Sequence, residues 1–331
     1  MTDFSAGLAD DGVLEPALTP ACALPRLALA ASALEELARE SGRTEAGYAR
    51  YHATMHALHL CRDDATAQQR NWLTSRAYPI EESLIPELTP EIDHTEALPP
   101  DAFIALVRSR ATATGRLGHP LVVQLGSGAA TLDDVRLFVF HNWRRANAFY
   151  ELLADFARRL DVTQAQPLYR NLFDELGCGP GMQAHPLTMQ KTMRHLGLEA
   201  RIDAWEPLTA GQAYLNNRAR CMRHGSLAWG WALCFCLECI TSTAHAHLDR
   251  LFRDFGLPEE ARTFYQLHST LDVEHTREFE GAIAAGVTSL DDQRTFLRSV
   301  EHHQRLSLRY FDAIWARKQD GFVLTVENRL G

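Results

Sequence analysis

The segment HSTLDVEHTREFE, residues 268–280, sets His268, Asp272 and His275 at positions i, i+4 and i+7. On an α-helix, at about 100° per residue, the three side chains fall within roughly 60° of one another. Two imidazoles and a carboxylate on one stripe hold a metal such as iron or zinc, which accepts both donor types from a pre-oriented helix. The same stripe also serves as a plain polar face. Glu274, Glu278 and Glu280 show that carboxylates are common along this segment.

Other residues stand out by context. Glu238 lies inside AWGWALCFCLECI, where its neighbours are apolar on nearly every face. A helix apolar all round is buried, and an ionised carboxylate there is costly without a partner. Metal ligation is one remedy and an arginine partner is another. Glu175 and His185 flank the turn GCGPG. A glutamate at a helix carboxyl end is opposed by the helix dipole and needs compensation, but the break leaves open whether the two residues meet. Glu151 is the one glutamate between 131 and 160, and its spacing from Asn147, Ala148, Ala154 and Asp155 describes a surface flank.

Several groups carry the right residue types without the right company. His52, His56 and His59 repeat the i, i+4, i+7 spacing in YHATMHALHLC but have no carboxylate with them, and a metal is not expected there. His245, His247, His302 and His303 lack ligand spacing and read as surface or core histidines. Cys234, Cys236 and Cys239 point three ways around a helix, so they read as reduced, buried small residues.

The elements that must position these residues are helical. Period-3.6 patterns recur through the chain with almost no period-2 alternation. They are expected over about 33–61, from near 100 onward, and as one run of about 29 residues across 131–160 opened by Thr131 as N-cap with Asp134 at the capping-box position. QPLYRNLFDEL ends at Gly177, and four further segments run to residue 317. A Pro-punctuated stretch, YPIEESLIPELTPEIDHTEALPP, reads as a linker or arm.

Bulk properties narrow the class. The 331 residues suffice for one large domain or two small ones. A net charge of −9 argues against nucleic acid or an anionic membrane as partner. No apolar run is read as approaching the ~20 residues of a membrane span. MTDFSAGLADDGVLEP lacks the basic start of a secretory signal, and Arg26 interrupts ALPRLALAASAL. Seven cysteines, an odd number, do not suggest a disulfide framework. The expected compartment is the cytoplasm.

Taken in order, NLFDELGCGPGMQAHPL, CLECI and LHSTLDVEH resemble the heme-oxygenase-like diiron oxidases, also called the iron-containing redox enzyme family. Members share a helical fold with heme oxygenase and thiaminase II. Their ligands come as Glu, a His shortly after, Glu on the next core helix, then His-x-x-x-Asp-x-x-His. The matching positions here are Glu175, His185, Glu238, His268, Asp272 and His275. GHPLVVQLGSGAATLDDVRLFVFHN also resembles the family's lead-in to its first core helix. The resemblance spans roughly residues 100–312.

The resemblance implies an all-α, heme-oxygenase-like bundle at 100–331, preceded at 1–99 by an N-terminal helical extension and linker arm. It implies two Fe2+ ions, with O2 as cosubstrate. Members that oxygenate nitrogen carry one more carboxylate on the helix before the first Glu, and members that cleave C–C bonds tend to lack it. Glu151, 24 residues before Glu175, is the available candidate, so the expected metal set is Glu151, Glu175, His185, Glu238, His268, Asp272 and His275. Glu151, Glu175 and Glu238 are its expected catalytic carboxylates. The first functional expectation is N-oxygenation of an amine or guanidine of an amino-acid-like substrate in a biosynthetic pathway. The second is oxidative C–C cleavage or decarboxylation of an amino or fatty acid, and the third a metal-free small-molecule-binding protein. A homodimer and an external electron donor are also expected, with neither nucleic acid nor membrane as partner.

Overall fold

A computed structural model describes residues 24–60, 71–83, 95–112, 118–147, 149–179, 183–198 and 208–320. Every regular element among these residues is helical, as the 3.6-residue periodicity predicts. Two units separate by internal contacts: residues 1–88 with 208–220, and residues 89–207 with 221–331.

In the first unit, α1 (Leu24–Ser41) and α2 (Glu45–Leu60) pair across a short turn. Leu34, Leu37 and Ala38 on one helix and Tyr51, Met55 and Leu58 on the other form its core, closed by Leu73, Ala77 and Tyr78. These spacings place each set on one helical face. A π-helical turn, Leu73–Ala77, leads into α3 (Tyr78–Ser83), so the start of the expected arm is helical; residues 84–94 lie outside the described residues.

The second unit holds α4 (Pro100–Thr112), α5 (Pro120–Gly126), α6 (Leu132–Asn147), α7 (Phe149–Ala157), α8 (Val162–Glu175) and α9 (His185–His195). Most of α10 (Thr209–Arg223) belongs to the first unit, and α11 (Leu227–Asp254), α12 (Glu259–Gly286) and α13 (Leu290–Gln319) complete the second. The start of α6 follows its sequence. Asp134 N donates to Thr131 Oγ1 at 3.2 Å, and Thr131 N donates back to Asp134 Oδ2 at 2.8 Å, a reciprocal capping box with Asp in the third position.

Three expectations need correction. The single run over 131–160 is two helices, α6 and α7, with residue 148 outside the described residues. Helices α5 and α10 were not anticipated. Helix α10 buries Asn216, Asn217, Arg218 and Arg220 together with Ala213, Tyr214, Ala219, Cys221 and Met222, so polar residues interrupt its apolar pattern. Finally, α11 is by length and composition long and apolar enough to cross a membrane. Its apolar window is 80% buried inside the protein, which is what a core helix shows.

Two features of this unit position chemistry. Helices α11 and α12 form a hairpin over the turn at Gly256, and they bring Glu238 opposite His275, Thr241 opposite Asp272, and His245 opposite His268. As position rises on one helix it falls on the other, the register of an antiparallel pair. At the end of α8, Gly177 takes φ +66°, and Cys178 N reaches back to Phe173 O at 3.1 Å. This is a Schellman ending, which needs a left-handed residue. A Cβ at Gly177 would lie 2.3 Å from Ala184 N, so the chain entering α9 passes directly over it.

Gly177→Ala is therefore expected to lower stability by at least the ~1–2 kcal/mol of left-handed strain, with a further cost from backbone displacement. A thermal melt should fall by several degrees while far-ultraviolet dichroism stays helical. An unchanged melting temperature would contradict this account of the turn.

Candidate metal centre

Four helices deliver the residues singled out by sequence. Glu175 ends α8, His185 begins α9, Glu238 sits midway along α11, and His268, Asp272 and His275 line one face of α12. All six are buried. They form two trios, Glu175–His185–His268 and Glu238–Asp272–His275, and in each trio one donor atom per residue lies within 4.8 Å of the others. Glu175 and His185, which the break left undecided, do meet: Glu175 Oε2 is 3.0 Å from His185 Nδ1. The partners of Glu238 are Asn171 Nδ2 at 3.0 Å and His275 Nδ1 at 3.3 Å, so the arginine alternative is not what these contacts show.

The electrostatics are those of a site built around positive charge. Burial works against an ionised Glu175, yet His185 and then His268 hold its carboxyl well below the usual range. Asp272 is pushed well up, by burial first and then by the charge of Glu238. Burial disfavours the charged His268 and His275 rings, but their carboxylate neighbours prevail. Asp272 and Glu175 push His268 up to about 9, and Glu238 with Asp174 pushes His275 up to about 10. The raised histidines and the lowered Glu175 mark a place that favours positive charge.

The donor set fits iron. Three carboxylates and three imidazoles in a dry interior make a hard, oxygen-rich site. Asp272 Oδ1 and His185 Nε2 lack a formed hydrogen bond, an expensive condition for buried polar atoms. Around this set runs a supporting shell that the sequence reading missed. His268 Nδ1 lies 2.7 Å from its own helix carbonyl, Phe264 O, which fixes the tautomer and turns Nε2 toward Glu175. Asp174 Oδ2 holds His275 Nε2 at 2.9 Å, and Thr241 Oγ1 lies 2.8 Å from Asp272 Oδ2.

His245, read from sequence as a surface or core histidine, faces the centre. Its Nδ1 is 3.4 Å from Asp272 Oδ2, and its ring centroid is 4.9 Å from that of His268. Burial, then the charges of His268 and Arg145, push its pKa well down. The signal was available: Glu238, Thr241 and His245 stand at i, i+3 and i+7 on α11 and mirror the stripe on α12.

Glu151 is not brought to either trio. It is exposed on α7, where the Tyr150 hydroxyl donates to Glu151 Oε1 at 3.0 Å. The first turn of a helix suits a solvated carboxylate, so the surface-flank reading of its spacing describes its position. His52, His56 and His59 form no metal-holding group among the described residues. His59 instead pairs with Glu81 at 3.2 Å and stacks on Tyr78. Cys234 and Cys236 are buried as expected, whereas Cys239 is only half-buried, and none of the three is in a disulfide.

Comparisons with known proteins place the chain. The iron-containing redox enzyme family matches residues 136–308. The chain belongs to this family. It is accordingly an iron-binding oxidoreductase, with a helical heme-oxygenase-like fold. Residues 6–84 match the haem-oxygenase-associated N-terminal helices. A solved structure from Shewanella denitrificans OS217, described as a domain of unknown function with a heme oxygenase-like fold, is similar in fold at 14% identity. The match has a TM-score of 0.54 and covers 66% of this chain and 91% of that one. No curated protein matches the chain.

Two expectations follow for the centre. Glu238→Gln removes a charge at constant size and should lower iron content, while the metal-free melting temperature stays level or rises as repulsion on Asp272 is relieved. Replacing His52, His56 and His59 together should leave iron content unchanged. A triple variant devoid of iron would move the metal to the first unit.

A pH dependence also follows, with its sign set by the raised histidines. A histidine with pKa raised from ~6.5 to about 9 or 10 stabilises the metal-free fold below pH ~6.5. That stabilisation is lost as pH rises through the folded values. Metal must displace those protons, so iron affinity should rise between pH 7 and 9. The metal-free melting temperature should fall over pH 7–10 more steeply than that of the iron-loaded protein. Parallel curves would contradict the assignment.

Proposed function

We propose that the protein is an O2-dependent oxidase holding two ferrous ions, one in each trio, and that it oxidises carbon in an acid rather than nitrogen in an amine. The observation that carries this reading is the pair of complete buried trios with Glu151 left outside them. Glu175, Glu238 and Asp272 bring three negative charges against four positive ones, which leaves one positive charge for an anionic guest. A substrate carboxylate fills that role. Glu151 would have cancelled the excess, and it alone supported nitrogen oxygenation.

Bound iron would supply the reduction of O2 and a strong oxidant for a C–H bond. The chain's residues do the positioning. Phe264 O and Asp174 fix the faces that His268 and His275 present, Thr241 restrains Asp272, and Asn171 restrains Glu238. Fixed ligands lower the reorganisation the centre must undergo. Reducing O2 to two waters takes four electrons, and oxidative loss of CO2 from an acid supplies two. An external donor must then supply the other two.

Glu151→Ala tests the reading. Iron content and the rate of O2 consumption should stay within about twofold of the parent protein, as for a substitution on a solvated flank. A loss of tenfold or more with iron retained would return Glu151 to the chemistry and favour N-oxygenation.

A further inference from the structure

In the trio Glu238–Asp272–His275 every residue has one polar atom engaged from outside the trio and one to spare. Glu238 Oε1 accepts from Asn171 Nδ2 at 3.0 Å, and Oε2 lies 3.3 Å from His275 Nδ1. His275 Nε2 is held by Asp174 Oδ2 at 2.9 Å, which leaves Nδ1 as its ligand atom. Asp272 Oδ2 lies 2.8 Å from Thr241 Oγ1 and 3.4 Å from His245 Nδ1, while Oδ1 has no hydrogen bond. The Thr241 hydroxyl carries one proton and also touches Leu237 O. His245 Nδ1, buried and without a formed hydrogen bond, is the further donor within reach of Oδ2. The trio Glu175–His185–His268 is built differently. Glu175 Oε2 is 3.0 Å from His185 Nδ1 and Oε1 is 3.6 Å from His268 Nε2, so both oxygens face other members of the trio and neither is tied from outside.

We propose that the ion held by Glu238, Asp272 and His275 is the one with open coordination positions, and that a small neutral ligand such as O2 binds there, because Asn171, Thr241 and His245 confine its two carboxylates to one oxygen each. The inference deepens the oxidase reading and rests on it for the presence of two irons. A carboxylate with both oxygens free can chelate an ion and fill two positions. For Glu238 or Asp272 to do so, a buried donor would be left without a partner, and that is costly. One oxygen from each carboxylate and one imidazole nitrogen then make a three-donor site, the kind that leaves non-heme iron open to O2. Glu175 has no such restraint and is free to chelate the other ion, which closes it. Thr241, His245 and Asn171 are thereby positioning residues. They act through Asp272 and Glu238 and decide at which iron O2 is met.

The test uses the full chain loaded with Fe(II) under nitrogen and nitric oxide as the probe, since nitric oxide binds ferrous iron at an open position. Crystals of the adduct should show nitric oxide on the ion between Glu238, Asp272 and His275, with one oxygen from each carboxylate on that ion. Nitric oxide on the ion of Glu175, or a chelating Glu238 or Asp272, would overturn the proposal. In solution, Thr241→Val combined with His245→Leu frees Asp272 Oδ2. The double variant should bind nitric oxide about tenfold more weakly, with two irons retained at saturating Fe(II) and the infrared carboxylate bands drawn together by chelation. Thr241→Ser combined with His245→Asn keeps a donor at each place and should bind nitric oxide as the parent does. A merely structural role would lower nitric oxide binding only in proportion to iron lost and leave those bands unmoved. Asn171→Leu makes the same test on Glu238, and the parent crystal needs no variant. Parent-like nitric oxide affinity in both the double variant and Asn171→Leu, with two irons present, would also overturn the proposal. A protein that loads one ion alone and takes nitric oxide on it between Glu238, Asp272 and His275 would sink the two-iron reading and leave this assignment standing.

Discussion

Three carboxylates buried in the interior of a helical bundle require positive charge, and the second unit is organised around that requirement. Glu175, Glu238 and Asp272 are nearly inaccessible to solvent, and isolated ionised groups there would cost far more than any single packing contact returns. Three histidines meet them. The carboxylates push His268 and His275 up, and burial with the charge of Glu238 pushes Asp272 up as well. Divalent cations held by the two trios would complete the charge balance.

Positioning follows from two backbone devices. The antiparallel register of α11 and α12 sets Glu238, Thr241 and His245 against His275, Asp272 and His268. The left-handed Gly177 folds α9 back on α8, so that a helix-ending glutamate, poorly placed for the dipole, gains the first residue of the next helix as its partner. Supporting contacts come from residues one turn away or adjacent: Asn171 lies one turn before Glu175, and Asp174 directly precedes it. Ligands and supports thus travel together on the same helices, which lets a small set of side chains fix the geometry of the whole centre.

Much of this was legible in the sequence. Helical class followed from periodicity, and Glu238 was conspicuous because a charge inside an apolar helix needs a reason. The stripe on α12 was readable because its three residues share one face. Contacts between helices were not readable, since spacing reports on one helix at a time. The meeting of Glu175 with His185 across a turn and the support of His275 by Asp174 both fall in that class. So does the entry of His245 into the centre, although its own stripe with Glu238 was visible. Glu151 shows the converse error. Its spacing described a solvated flank, and the family resemblance drew it inward because it was the one glutamate on the expected helix. The segment split into α6 and α7, and Glu151 stands in the exposed first turn of the second. Helix α10 escaped because arginines and asparagines, Asn216, Asn217, Arg218 and Arg220, share its buried positions with Ala213, Tyr214, Ala219, Cys221 and Met222 and blur the hydrophobic pattern.

The central claim, two irons held by two trios, is tested most directly by anomalous scattering at the iron edge from crystals loaded with Fe(II) under nitrogen. The account predicts two peaks per chain, one among Glu175, His185 and His268 and one among Glu238, Asp272 and His275. A single peak, or a peak coordinated by Glu151 or by His52, His56 and His59, would contradict it.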